Sequence, residues 1–223
     1  MEAGGALPHH LPRVLRIAAP GALELTLIPA LAALLRAEAP TWQLEVLPFE
    51  RRSYSADLAS SAVDLVLSVG GHTPQSPTLA FDNVWQDLVV CVVGPDHRFA
   101  GHEEINIEEY LACDFVYHVP WPVRDNYLDV WLARRNQHRR RVIDVPGYAG
   151  VGAILSNTDL VASMPDRTAV ALRAMHPELW ICRVKPAWTS PLRLEALAEA
   201  KREAHVDWAI SRLKDKAAKI PSL

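Results

Sequence analysis

The stretch LRIAAPGALELTLIPALAALLRAEAPTWQLEVLPF, from Leu15 to Phe49, decides the class of fold. Val14 to Ala19 reads as a short strand, and Pro20-Gly21 turns the chain. Ala22 to Glu38 then sets Leu23, Leu27, Leu31, Leu34 and Leu35 at the three- and four-residue spacing of one helix face. Pro40 ends that helix. Gln43 to Phe49 returns to the two-residue alternation of a strand. A strand, a long helix and a strand form the unit of a parallel sheet, because parallel neighbours need a crossover long enough to hold a helix.

The alternation continues along the chain. Tyr54 to Ser61 predicts a short helix, Val63 to Val69 a third strand, and Leu79 to Trp85 and Leu88 to Val93 two more, the second apolar enough to be buried on both faces. Gly94-Pro95 punctuates the chain and the pattern restarts. It then gives helices at Ile107 to Leu111, Asn126 to Arg135, Tyr148 to Ser156 and Arg167 to Ala174, with strands at Phe115 to Val119, Arg141 to Val145, Leu160 to Met164 and Trp180 to Val184. A strand at Pro191 to Leu197 and a helix at Ala204 to Lys219 finish it. With no low-complexity linker between the two sets, the pattern predicts two Rossmann-like α/β lobes with mostly parallel sheets, joined by crossover strands. Val89 to Val93 is the outgoing segment and Lys185 to Pro191 the return. Residues 13–92 and 190–219 then make lobe I and 93–189 lobe II, while residues 1–12 are a lead-in outside the fold. A cleft between lobes, bounded by strand ends and helix starts, is where open α/β sheets bind ligands.

Composition narrows the function. Of 223 residues half are apolar, and 23 Lys plus Arg against 26 Asp plus Glu give a formal charge of -3, so a basic nucleic-acid face is not expected. Cys91, Cys113 and Cys182 sit far apart in apolar runs and read as buried reduced thiols, which fits the cytoplasm. No apolar run approaches the roughly 20 residues that span a bilayer, and the start lacks a secretory signal. Neither a G-x-S-x-G elbow nor an H-E-x-x-H pair occurs, which predicts no catalysis, no metal and no cofactor. Asp64, Asp87, Asp129 and Asp159 fall at element ends, where capping explains them, and the run His138-Arg139-Arg140-Arg141 reads as a solvated loop.

Candidate ligand contacts fall at the strand ends. Pro20, Gly21 and Ala22 open the first helix, and Ser68, Val69 and Gly70 end the third strand. Gly147 and Tyr148 precede a helix whose backbone N–H groups would hold an anion, although the G-x-x-G-x-G spacing is not a dinucleotide fingerprint. Between His118 and Asp125, Pro120 and Pro122 fix an extended path, Trp121 offers a flat apolar wall, and Arg124 or His118 could pair a ligand carboxylate, with Asp125 beside them. Trp188 in the return segment joins this predicted lining.

Taken in order, these segments resemble the effector-binding domain of LysR-type transcriptional regulators. The resemblance runs through Leu15–Phe49, LASSAVDLVLSVG (Leu58–Gly70), VVCVVGPDHRFA (Val89–Ala100), where Arg98 stands in place of the usual Pro, and VPGYAGVGAILSNTDLVASMPDRTA (Val145–Ala169). It covers nearly all of residues 14–217, and TDLVASMP is its most specific string. The chain is closest in flavour to the branch that answers flavonoids and aromatic acids, although Glu195-Ala196-Leu197 replaces that branch's Trp-His pair. The resemblance implies a fold like that of type 2 periplasmic-binding proteins, a small-molecule effector, a homodimer or tetramer through lobe helices, and DNA contact only through an N-terminal helix-turn-helix absent from this chain. A solute-binding protein of a transporter, or a small enzyme on the same scaffold, are the alternatives.

Overall fold

The computed structural model describes residues 13–50, 52–69, 77–118, 126–185 and 192–223. β1 (Arg13–Ala19) leads through a single 3-10 turn (Gly21–Glu24) to α1 (Leu27–Glu38), β2 (Trp42–Pro48), α2 (Tyr54–Ala59), β3 (Leu65–Val69) and β4 (Leu79–Asp87). Next come β5 (Val89–Val93), β6 (Glu104–Asn106), α3 (Ile107–Leu111), β7 (Asp114–His118), α4 (Tyr127–Ala133), β8 (Arg140–Val145) and α5 (Val151–Ser156). β9 (Val161–Pro165), α6 (Asp166–Met175), β10 (Trp180–Lys185), β11 (Leu192–Glu199) and α7 (Ala204–Ala217) complete the order.

The chain forms two compact units, one running through Trp85 and resuming over Arg193–Ile220, the other Gln86–Leu192 with Pro221–Leu223. The divisions fall after Trp85 and Leu192 rather than after residues 92 and 189. The reason is that Val89–Val93 does not bridge the units: it lies inside the second sheet, hydrogen-bonded to β9 on one side and β10 on the other. An apolar run buried on both faces suits a crossing segment and a central strand equally, so periodicity alone could not separate them.

In the first unit the strand order is β2-β1-β3-β11-β4. β1 runs parallel to both neighbours, with Ile17 opposite Val46 and Leu65. Its Leu15 and Ile17 join Leu65, Leu67, Leu194 and Ala196 in one core, covered by Leu27, Leu31, Leu34 and Leu35 of α1 and by Val206, Ala209, Ile210 and Leu213 of α7. Each fully buried Leu or Ile contributes about 1.5–3 kcal/mol relative to exposure, which is why both helices show their apolar residues at three- and four-residue spacing. α1 begins later than its leucine pattern suggests. The Leu23 N–H donates to the Pro20 carbonyl at 2.9 Å, closing the tighter turn, and the Thr26 hydroxyl donates to the Ala22 carbonyl at 3.3 Å.

The second sheet has the order β6-β10-β5-β9-β7-β8. β5 is antiparallel to β9 and β10, and in the first unit β11 is antiparallel to β3, so both sheets are mixed where mostly parallel ones were expected. A strand that enters its sheet after the chain has passed from the other unit, as β5 and β11 do, is free of the right-handed crossover geometry that keeps β-α-β neighbours parallel. α3 and α4 cover one face through Tyr110, Leu128, Trp131 and Leu132, against Phe115, Val161, Cys91 and Cys182. α5 and α6 pack on β5 and β9. The short β6 escaped sequence reading because only Ile105 of its three residues is buried.

The three cysteines are free and buried, with Cys91 directly opposite Cys182 across β5 and β10 and Cys113 in the same core. Burial raises all three thiols, Cys182 to about 11. Since the thiolate is the nucleophile, iodoacetamide at pH 8 is expected to modify none of them in the native protein and all three in guanidinium. Native-state alkylation at the rate of a free thiol, read by mass spectrometry, would show the core to be open.

Candidate functional site

In the first unit the predicted contacts gather at one edge of the sheet. β1 and β3 are parallel, so Pro20–Ala22 and Ser68–Val69 emerge from the same end of the strands. Pro20, Ala22 and Ser68 are buried, while Gly21 and Val69 are half-buried. Across the antiparallel pair, Glu195 stands opposite Ser68 and Leu194 opposite Val69. What this edge offers is backbone, one hydroxyl and a half-buried carboxylate. Gly70, Pro120, Trp121, Arg124, Asp125 and Trp188 lie outside the described residues.

The corresponding edge of the second unit carries an aromatic pair. β7 and β8 are parallel with His118 opposite Val145, and the chain turns after β8 so that Tyr148 lies over His118, ring centroids 4.1 Å apart at 23°. Tyr148 does not open a helix, as its sequence position suggested. α5 begins at Val151 after Gly150, and its six residues are too short for the expected anion site. Tyr148 is instead a buried side chain whose hydroxyl is pushed above its ordinary range by desolvation. Gly147 has open space where a Cβ would sit.

His118 also differs from expectation. Burial lowers it to about 4, against a smaller opposing effect of its hydrogen bond to the Pro146 backbone. A neutral imidazole cannot pair a carboxylate as a cation. With one ring N–H given to the Pro146 carbonyl, Nε2 remains as a buried acceptor with no hydrogen-bond partner among the described residues. An acceptor in that state takes an O–H or N–H donor.

Beneath this edge lies a polar network that sequence reading missed. Arg139, read as part of a solvated loop, is buried, with its Nε donating to Asp129 Oδ1 at 2.9 Å and its Nη1 to the Tyr110 hydroxyl at 3.4 Å. Nη2 is 2.7 Å from the same carboxylate oxygen yet off the hydrogen-bonding direction, so it adds ion-pair attraction but no hydrogen bond. The Tyr117 hydroxyl donates to Asp129 Oδ2, and the Tyr110 and Ser163 hydroxyls share a hydrogen bond of 2.6 Å. The guanidinium also lies 4.9 Å from the Tyr117 ring centroid. Asp129 is therefore an ion-pair partner rather than a cap, and Asn126 caps α4 by accepting from the Leu128 and Asp129 N–H groups. The available signal was the alternation of Phe115 and Tyr117 on one strand face.

Two more carboxylates read as caps have other partners. Asp64 accepts the Arg16 N–H at 2.7 Å and faces His205, whose hydrogen bond helps outweigh burial and lowers its range. Asp87 is buried beside Asp166 and Arg167. Among the described residues no group of three or more His, Cys, Asp or Glu side chains is arranged to hold a metal, and no helix is long and apolar enough to cross a membrane.

A family model described as the LysR substrate binding domain matches residues 9–218. The HTH-type transcriptional activator NagR of Ralstonia sp. is 30% identical over 148 residues, 66% of this chain and 48% of that protein. NahR of Pseudomonas putida, also an HTH-type transcriptional activator, is 27% identical over 147 residues, with the same two shares. The match thus spans about half the length of these relatives. The solved structure of the probable transcriptional regulator PA0477 from Pseudomonas aeruginosa superposes with a TM-score of 0.77 at 26% identity, covering 91% of this chain and 67% of that one.

Proposed function

From the premise that this chain belongs to the LysR substrate-binding domain family, with the type 2 periplasmic-binding-protein-like fold of its relatives, we propose that it senses one small effector, met in the second unit by the strand-end edge that carries His118 and Tyr148. The observation that carries the reading is the unspent Nε2 acceptor of His118 beside the Tyr148 ring. Together they favour a flat molecule bearing a hydroxyl or N–H donor, whose acid group, if present, is met elsewhere, with Arg124 as the candidate. Pro20–Ala22, Ser68–Gly70, Pro120, Trp121, Asp125, Gly147 and Trp188 are the remaining proposed contacts.

The longer protein would be a cytoplasmic transcription regulator that contacts DNA through a separate domain and assembles as a dimer or tetramer. In α1, Ala33 and Ala37 face solvent and suit close helix approach. No catalysis is proposed: the buried nitrogen of His118 has no nucleophile paired with it among the described hydrogen bonds.

Calorimetry with benzoate, 3-hydroxybenzoate and 4-hydroxybenzoate tests the site. At least one hydroxylated probe is expected to bind about tenfold more tightly than benzoate, the effect of one hydrogen bond in a dry site. His118→Phe keeps the stacked ring, removes the acceptor and should abolish that difference. A preference that survives the substitution, or equal affinity of all three probes, would sink the assignment.

A further inference from the structure

α5 has six residues, Val151 to Ser156, or about 9 Å of helix. A helix so short is not held by its own hydrogen bonds, so its neighbours fix where it lies. Two close approaches do this. At the end of β5, a Cβ on Gly94 would overlap the Leu155 carbonyl of α5. From the end of α6, the His176 imidazole lies on Gly152, where an added Cβ would stand 2.5 Å from Nε2 and 2.7 Å from Cγ. Neither glycine has positive φ, so both mark contact rather than a turn.

The segment after α6 adds a polar grip. Pro177 cannot continue a helix and disfavours one at the residue before it, so the chain leaves α6 at His176, whose N–H donates to the Leu172 carbonyl at 2.9 Å. Leu179 is buried and its N–H donates to the His176 carbonyl at 3.1 Å, which closes a turn. That turn brings Glu178 to the last residue of α5. The Ser156 hydroxyl donates to Glu178 Oε1 at 2.6 Å, with the Gly152 carbonyl 3.0 Å away as a second acceptor. His176 Nδ1 is 3.4 Å from the same carboxylate oxygen. Glu178 therefore joins the ring on Gly152 to the hydroxyl at the helix end.

The other end of α5 leads to the aromatic pair. The Val151 N–H donates to the Tyr148 carbonyl at 3.0 Å and the Ile154 N–H to the Gly150 carbonyl at 3.1 Å, so Tyr148 is bonded to the first residue of the helix. Ala149 and Gly150, exposed between them, bring no polar side chain to anchor the turn elsewhere. We propose that His176 and Glu178 are positioning residues of this edge: by holding α5 at Gly152 and Ser156 they set the Tyr148 ring over His118, where the centroids are 4.1 Å apart. On the reading of that edge as the effector site, on which this consequence rests, a lost grip leaves the His118 acceptor in place and loosens the flat surface beside it. Flat probes then weaken together and keep their order.

Proton spectra of the unliganded chain read the ring pair directly, because a stacked Tyr148 shifts the His118 ring protons upfield. Gly152→Ala puts a methyl where the His176 ring lies, His176→Ala removes the ring, and Glu178→Ala removes the acceptor of the Ser156 hydroxyl. Each is expected to reduce the upfield shift and, in calorimetry, to weaken benzoate and 4-hydroxybenzoate several-fold by a common factor. His176→Phe keeps a flat ring on Gly152 and should stay closer to the wild type than His176→Ala does. A merely structural role would lower the urea midpoints and leave the His118 signals where they are. Wild-type His118 signals in both His176→Ala and Glu178→Ala overturn the inference. Both of those side chains are partly exposed, so these two variants decide it even if Gly152→Ala does not fold. Failure of the wild type to bind any probe sinks the effector reading instead, while the spectra still decide the grip on α5.

Discussion

Replacing Arg139 with methionine is expected to destabilise the second unit by about 3–5 kcal/mol, the cost of leaving a buried carboxylate without its counter-ion. Asp129 accepts from both Arg139 and Tyr117, and the Arg139 and Asp129 side chains are only 3% and 12% exposed. Removing the guanidinium leaves a charge that water cannot reach and strips the Tyr110 hydroxyl of one donor. The network draws on α3, β7, α4, β9 and the residue before β8, so the loss spreads across the sheet. Arg139→Met combined with Asp129→Leu should recover most of the stability, since removing both charges leaves no unpaired ion. Urea midpoints of the two variants check this. A single-variant loss below about 1 kcal/mol would mean that the pair is effectively solvated.

Gly94→Ala should cost about 3 kcal/mol or prevent the native state from accumulating. A Cβ on Gly94 would lie 1.9 Å from the Leu155 carbonyl oxygen and 2.8 Å from its carbon. Those atoms are helix backbone and cannot rotate away, so α5 would have to move off β5. The need is for space and not for conformation, because Gly94 is not among the residues with positive φ. Gly147→Ala is the control: nothing lies within 4 Å of a Cβ there, and its unfolding midpoint should stay close to that of the wild type. Equal midpoints for the two variants would show that α5 has slack the packed backbone does not suggest.

The candidate edge was only partly legible from the sequence. Strand ends predicted from periodicity brought Pro20–Ala22 together with Ser68–Val69, and His118 close to Tyr148, because parallel strands necessarily end at the same edge. Their chemistry was not legible. His118 was read as a partner for a carboxylate, whereas burial lowers it to about 4 and leaves a neutral acceptor.

By itself the sequence determined the order and kind of most elements, since apolar spacing reports which face of a helix or strand must leave water: the leucines of α1 and the alternation of β1 were enough. Only the tertiary structure decided which charges are buried and what they meet. Arg139 joins an exposed-looking basic run, and Asp87 an unremarkable strand end. Each is held in the interior by partners from distant segments, Arg139 by Asp129 and Tyr110, Asp87 by Arg167. A local pattern carries the cost of burying an ion but not the contacts that offset it, because those contacts exist only once the strands and helices have packed.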